Sequence, residues 1–500
     1  MATTSAQIPG KATPPWLDVE RPPERPALAG ERRADVAVVG GGIIGVTTAL
    51  RLAREGVDVV LLEGGLLGQG TTGRTTAKVS SLHGLTYASL AKQHGPETAR
   101  IYAEANEAGL AAIAGYVDEL GIDCDFRRKP NVSYTEDPGR VSDIEAEAEA
   151  AQEAGLPASV IEDTELPFPI AAAVRLPDQA EFHPIRYLLG LAEALDAEAP
   201  RVFERSRVTA VGGGRVKLDN GGAVVAERVV LATHLPILDR SATFALAEPQ
   251  RSSALAVAAG GEMPSGMYLG VDTPTRTIRS FPHGDGELLL VGGNSQRLGE
   301  GDAGAALLEI ERFARERFAV GEVAYHWSAH DYIPADSLPM VGPMPPRGGP
   351  ILIGTGMRKW GLAMGTAAAI ILADDILGVE NPWARTFDPR RLPGPRAWPE
   401  LVKANAGTGV HLVGDRLRRS GRSDLAPGEG AVVDHGIGKR AHYRDSDGAL
   451  HDLSARCTHL GCIVSWNSGD RTWDCPCHGS RFAATGEVIE GPATKPLRHG

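Results

Sequence analysis

Four side chains near the C-terminus carry the sharpest chemical pattern in the chain. Cys457 and His459 lie in one short stretch, Cys475 and His478 in another, as C-x-H, fifteen intervening residues, then C-x-x-H. Thiolate sulfur and neutral imidazole are donors for zinc or for iron. Zinc-finger spacing groups Cys with Cys and His with His, whereas here each stretch offers one of each. That division suits a [2Fe–2S] cluster, with two thiolates on one iron and two imidazoles on the other. Exchanging two thiolates for imidazoles removes negative charge and raises the reduction potential. Tetrahedral zinc remains the competing reading of the bare pattern. Two further cysteines, Cys462 and Cys477, fall in the same stretches, and such clustering marks a metal site or a disulfide. Cys124 stands alone and reads as a buried, neutral thiol.

The second chemical pattern lies near the N-terminus. Ala34 to Val39 reads as a buried strand, followed by Gly40, Gly42 and Gly45 in a G-x-G-x-x-G turn and an apolar helix to about Glu55. The first glycine permits the tight turn, the second admits a pyrophosphate, and the third packs helix on strand. The phosphates would meet the helix N-terminus and its dipole. A second strand, Val57 to Leu62, ends in Glu63, placed to take ribose hydroxyls. FAD and NAD both use this fingerprint, so other segments decide. Thr71, Thr72, Arg74, Thr75 and Thr76 supply hydroxyls and free N–H groups beside the diphosphate, and a strand from Val229 ends at Thr233 and His234. A second glycine turn, Gly354 and Gly356, opens a helix from Trp360 to Leu377 and is expected at the flavin ring, with Lys359 beside it.

The elements that position these groups divide the chain. Residues 1–33 form a Pro-rich arm leading into the first strand, 34–385 a mixed α/β region, and 386–424 a Pro-rich linker with a short helix over Leu401–Arg419. Residues 425–500 show short strands between Gly turns, a small all-β domain. Apolar residues make up 42% and charged ones 23%, which is ordinary globular composition. The net charge of −12, with no Lys/Arg block, argues against nucleic acid or an anionic membrane as partner. The longest apolar stretch, Ile351 to Val379, is interrupted by Arg358, Lys359, Asp374 and Asp375, which argues for a buried strand and helix rather than a transmembrane segment. The start shows neither a Sec nor a Tat signal pattern, so a cytoplasmic protein is expected.

Cys457-Thr-His-Leu-Gly-Cys462 and Cys475-Pro-Cys-His-Gly-Ser480 closely resemble Rieske proteins. The resemblance implies that Cys457, His459, Cys475 and His478 hold the cluster and that Cys462 and Cys477 form a disulfide bracing the two loops. It also implies that the Ser480 hydroxyl hydrogen-bonds a bridging sulfide. Two residues later those proteins carry a Tyr where this chain has Phe482, so a potential below that of respiratory Rieske proteins is expected.

The N-terminal three quarters, with Asp336-Ser-Leu-Pro339-Met-Val-Gly342-Pro343, resemble the glycine oxidase/D-amino-acid oxidase (DAO) superfamily of flavoproteins. Gly73 to Val79, Ala232 to Pro236, Phe182-His-Pro184 and the fusion itself resemble its branch with a C-terminal Rieske domain. The resemblance implies a discontinuous Rossmann-like FAD domain with an antiparallel-sheet substrate domain over the flavin ring. It further implies oxidation of an amine or amino-acid C–N bond by hydride transfer to non-covalent FAD. Arg279 matches the strand from which glycine-oxidase-like enzymes present a carboxylate-binding Arg, with a surface ion pair as its alternative. His83 is a candidate for the flavin ring or for a structural role, and His183, before Pro184, reads as structural. Ala363 stands where sarcosine-oxidase-like members carry a carboxylate-binding Lys, which speaks against that specificity.

The expected activity is therefore an oxidoreductase that passes electrons from an amine or amino acid through FAD and the cluster to an acceptor, protein or quinone. An oxygen-using oxidase with a structural or regulatory cluster is the first alternative. An NAD(P)H-fed electron-transfer reductase is the second, although no further G-x-G-x-x-G opens a helix in mid-chain. A Rieske oxygenase would need a 2-His-1-carboxylate iron site, and the His residues show no such grouping along the chain.

Overall fold

A computed structural model describes residues 8–238, 243–346, 348–392, 394, 398–399, 401–402, 424–436 and 438–499. The helix expected over Leu401–Arg419 lies almost wholly outside the described residues.

The strand Glu31–Val39 turns from exposed to buried along its length and feeds the helix Ile43–Arg54 through the glycine turn. It pairs in parallel with Val59–Leu62 on one side and Ala223–Leu231 on the other. The eight-stranded sheet built on this centre runs Met340–Pro343, Ile351–Thr355, Ala223–Leu231, Glu31–Val39, Val59–Leu62, Val202–Phe203, with two hairpin strands off the path. Its central strands are almost uniformly apolar because helices cover one face and a β-hairpin layer the other. Helix Ala363–Leu377, nearly all buried, packs against helix Ile43–Arg54.

A nine-stranded sheet forms the second layer: Val320–Pro334, Ala247–Ala259, Gly286–Arg297, Arg276–His283, Met267–Gly270, Arg127–Thr135, Ala172–Glu181 and Lys78–Val79, with Ser159–Ile161 at one side. It is antiparallel except where Met267–Gly270 runs parallel to Arg127–Thr135. Its strands come from two stretches, 78–181 and 247–334, that alternate with those of the first sheet, so the two sheets are interleaved in sequence.

The N-terminal arm is fastened rather than free. Trp16 is buried and its indole donates to the Thr75 carbonyl at 2.9 Å. The C-terminal region forms a three-stranded sheet, Gly430–His435, Gly438–Arg444 and Leu450–Ser454, beside a four-stranded one, Ser465–Asn467, Thr472–Asp474, Arg481–Ala483 and Val488–Glu490. Its own core centres on Leu453, Trp473 and Phe482. This domain docks on both sheets: Ser328 N and Arg297 of the nine-stranded sheet donate to Asp470 at 3.0 Å and to the Pro476 carbonyl at 3.3 Å, and Arg207, between two strands of the eight-stranded sheet, donates to the Val488 carbonyl at 2.9 Å.

Candidate functional site

The first glycine turn has the geometry a dinucleotide requires. Gly40 has φ of +109°, and a Cβ there would lie 2.4 Å from the Ala232 carbonyl oxygen. A Cβ on Gly45 would lie 1.9 Å from the Gly40 carbonyl oxygen, so only hydrogen fits between helix and turn. Glu63 is half-buried and accepts from Gly41 N and Gly65 N, each at 2.7 Å, which draws the loop around the strand end. Burial raises its pKa against those two backbone hydrogen bonds. Thr72 Oγ1 accepts from Ile43 N at 3.1 Å, tying the Thr-rich segment to the first turn of the helix.

These groups open into a pocket of about 830 Å³ between the two sheets, near the upper end of the usual range for small-molecule and cofactor sites. Gly40, Gly42, Glu63, Thr71, Thr72, Arg74, Thr75, Thr76, Thr233 and Lys359 all line it. A volume of this size, a glycine turn that excludes Cβ atoms and a carboxylate at the end of the second strand together fit FAD. Lys359 reaches from the turn after Ile351–Thr355 to Ser252 Oγ at 3.1 Å and to Ser295 Oγ. Its side chain is exposed to the pocket, and desolvation by the pocket walls draws its ammonium down to about 8.

Four expected site residues need correction. Arg279 does not line the pocket: it is 1% exposed and pairs with the fully buried carboxylate of Glu181, while its Nε donates to the Thr76 carbonyl at 2.7 Å. Its Nε and Nη1 are committed inside the sheet, and its Nη2 is buried there without a partner, away from the pocket lining. His83 lies behind the pocket wall, stacked on Trp360 with ring centroids 4.3 Å apart and bonded to Tyr102 Oη at 2.7 Å. Burial lowers its pKa to about 3, leaving a neutral ring that positions Trp360. Gly354 and Gly356 also stay off the pocket. Gly356, at φ of +76°, packs under Pro334, and Met357, Lys359, Trp360, Gly361 and Leu362 form the wall instead. The helix accordingly begins at Ala363, not at Trp360.

Two smaller readings hold in the geometry. His183 Nδ1 accepts from Arg186 N at 3.2 Å and caps the helix Pro184–Asp196. Cys124 is buried, which pushes its thiol up to about 12.

The sequence reading missed Lys78 and a polar cluster on the pocket wall. Lys78 is buried, lines the pocket, lies 5.2 Å from the Trp360 ring and is lowered by burial to about 7. His234, His330 and Glu490, which the linear sequence keeps apart, bring ligand atoms within 4.8 Å of one another. The absence of a two-His, one-carboxylate grouping holds along the chain and not in space. Here the three are already engaged: His234 Nε2 with Asp331 at 2.9 Å, His234 Nδ1 with Thr71 at 3.2 Å, and His330 Nδ1 with Glu490 at 3.0 Å. Glu490 comes from the C-terminal domain, whose Val488, Ile489, Gly491, Ala493 and Thr494 also line the pocket.

The four expected cluster ligands converge in that domain. The thiols of Cys457 and Cys475 are buried and hydrogen-bonded to each other, and the rings of His459 and His478 stand 5.1 Å apart at 89°. Both cysteines lie outside the disulfide, which joins Cys462 to Cys477 across the two loops. The Ser480 hydroxyl hydrogen-bonds Cys457 and accepts from Ala493 N at 3.0 Å. Two buried thiols, the buried His478 and the half-buried His459 fit the divided ligand set of a [2Fe–2S] cluster. Phe482 is fully buried on the strand that follows. Since hydrogen bonds toward the sulfurs raise the potential, Phe482→Tyr is expected to shift the cluster midpoint upward by tens of millivolts in a potentiometric titration.

The pattern of similarity follows these two sites. A family model described as FAD dependent oxidoreductase (DAO) matches residues 35–375, and one described as Rieske [2Fe-2S] domain matches residues 419–499. YhfW of Bacillus subtilis (strain 168), named as a Rieske 2Fe-2S iron-sulfur protein, is 35% identical over 97% of this chain and 96% of its own. The glycine oxidase structure from Geobacillus kaustophilus superposes with a TM-score of 0.60 at 19% identity, covering 72% of this chain and 100% of that one. The L-proline dehydrogenase structure from P.horikoshii gives 0.59 at 18% identity, covering 73% and 98%. At these identities the two structures show the fold alone. Among the described residues no helix is long and apolar enough to cross a membrane.

Proposed function

We propose that this chain, which belongs to the DAO family of FAD-dependent oxidoreductases and carries a C-terminal Rieske [2Fe–2S] domain, oxidises the C–N bond of an amine or amino acid and sends the electrons out through the cluster to a further acceptor. FAD supplies a two-electron hydride acceptor and the cluster a one-electron carrier. The observation that carries this reading is the shared wall: residues 488–491, 493 and 494 of the Rieske domain line the same pocket as the dinucleotide-binding turn. A cluster serving only as a distant structural brace would not need that position.

The chain's own groups support an amine or amino-acid substrate. Lys359 Nζ, between Ser252 and Ser295 on the second sheet, offers an ammonium and two hydroxyls to a carboxylate. Trp360, Leu362, Met357 and Leu269 give an apolar surround that excludes water from the reacting carbon. Lys78, lowered by burial to about 7, loses its charge above that pH and leaves Lys359 as the lysine ammonium facing the pocket. The glycine oxidase and L-proline dehydrogenase named above share this two-sheet architecture, in line with amino-acid substrates.

Anaerobic stopped-flow with a panel of amines and amino acids tests the reading. Flavin bleaching followed by loss of the oxidised-cluster absorbance is expected. Flavin bleaching with the cluster left oxidised would defeat the relay and leave an oxygen-using oxidase.

A further inference from the structure

The pocket and the cluster are joined by two adjacent residues of one strand. In Val320–Pro334, Asp331 faces the pocket, where its carboxylate accepts from Lys359 N at 2.5 Å and holds His234 Nε2 at 2.9 Å. Tyr332, next along and fully buried, points the other way, as alternation along a strand requires. Its hydroxyl donates to the backbone carbonyl of His478, a cluster ligand, at 2.9 Å. Tyr332 N also donates to the Asp331 carboxylate at 2.7 Å, and its ring lies 4.7 Å from that of His234. The contact at the cluster loop is close: Gly479 has φ of +80°, and a Cβ there would sit 2.3 Å from Tyr332 Oη. Nothing larger than hydrogen fits beneath the hydroxyl.

We propose that Asp331 and Tyr332 form a rigid coupling element through which the occupancy of the flavin pocket is felt at the cluster, with Tyr332 the positioning residue for the His478 loop. Asp331 is anchored to the turn Met357–Leu362, which forms the pocket wall, and to His234 at the end of the first sheet. Both anchors line the pocket that FAD would fill, through His234, Asp331 and Lys359. Any shift of Asp331 moves Tyr332, because the residues are consecutive and share the hydrogen bond from Tyr332 N. Tyr332 then re-aims the His478 carbonyl and, with it, the imidazole. Such outer hydrogen bonds to a ligand's own residue tune a metal centre. The role is electronic and geometric, and Tyr332 does not touch substrate.

The test compares cluster-loaded protein with and without FAD, in wild type and in Tyr332→Phe, by EPR of the dithionite-reduced cluster and by potentiometry. Wild type is expected to change its g-values and midpoint when FAD is removed. Tyr332→Phe is expected to keep wild-type flavin and iron content while the FAD-dependent change falls to less than half. Asp331→Asn, which weakens the pocket anchor and leaves the Tyr332–His478 bond, is expected to reduce the change as well, and it decides the matter if Tyr332→Phe does not fold. A full FAD-dependent change in the variant that folds, or no change in wild type, overturns the coupling. No substrate and no flavin-to-cluster electron transfer enter these measurements. An absent relay in stopped-flow and an absent coupling here are therefore separate failures.

Discussion

Replacing Glu181 by glutamine is expected to destabilise the protein by about 3–5 kcal/mol, the usual cost of removing one partner from a buried ion pair. Glu181 is fully buried, and three cations converge on it: Arg279, Arg127 at 2.9 Å and Lys129 at 3.1 Å. Burial pushes its pKa up, but Arg279, Lys129 and Arg127 outweigh that and hold it below the ordinary value. The neutral amide keeps an oxygen to accept from Arg279 but no charge to offset its guanidinium, which is 1% exposed and otherwise donates to the Thr76 carbonyl at 2.7 Å. Because Thr76 lines the flavin pocket, the strand Lys78–Val79 and the Thr-rich segment before it should loosen together. The pH dependence has a defined sign. A carboxylate with a depressed native pKa stabilises the fold above its unfolded value, about 4.3, and loses that contribution as pH falls through the native value. Thermal denaturation should therefore show the variant far below wild type at pH 7 and the gap narrowing in acid. A gap that is the same at acid and neutral pH would contradict the assignment.

Gly45→Val is expected to lower flavin content at least tenfold while leaving iron and sulfide near wild-type levels. The Gly45 Cβ would stand 1.9 Å from the Gly40 carbonyl oxygen, which forces helix Ile43–Arg54 away from the turn that must embrace the diphosphate. The Rieske core around Trp473 and Phe482 is a separate cluster of side chains, so its metal site should assemble regardless. Flavin absorbance and iron analysis on one purified sample measure both. Stoichiometric FAD in Gly45→Val would show that the cofactor does not use this turn.

What the sequence made legible, and what it did not, follows from how local each signal is. The cluster ligands sit within a few residues of one another in two loops, so their types and spacing alone show the divided ligand set. The glycine turn is equally local, since Gly40, Gly42 and Gly45 each answer a backbone requirement of one strand–turn–helix. Arg279 misled because its partner, Glu181, comes from a strand about a hundred residues earlier, and no periodicity reveals which strands will be neighbours. Lys78 and the His234–His330–Glu490 cluster were hidden for the same reason, each being assembled from separate segments. Gly354 and Gly356 were overread: the second glycine turn looks like the first, but Pro334 fills the space beneath Gly356 and moves the pocket wall to residues 357–362.

The placement of residues 488–491, 493 and 494 in the wall of the flavin pocket has a consequence for biosynthesis. Domains fold as they leave the ribosome, N-terminal parts first, so the dinucleotide-binding turn exists long before Glu490 can reach Thr71. Until the Rieske domain docks, the pocket is open along one side, and any flavin bound there can exchange freely with the solution. Flavin retention is thus tied to docking of the C-terminal domain, which closes that side of the pocket.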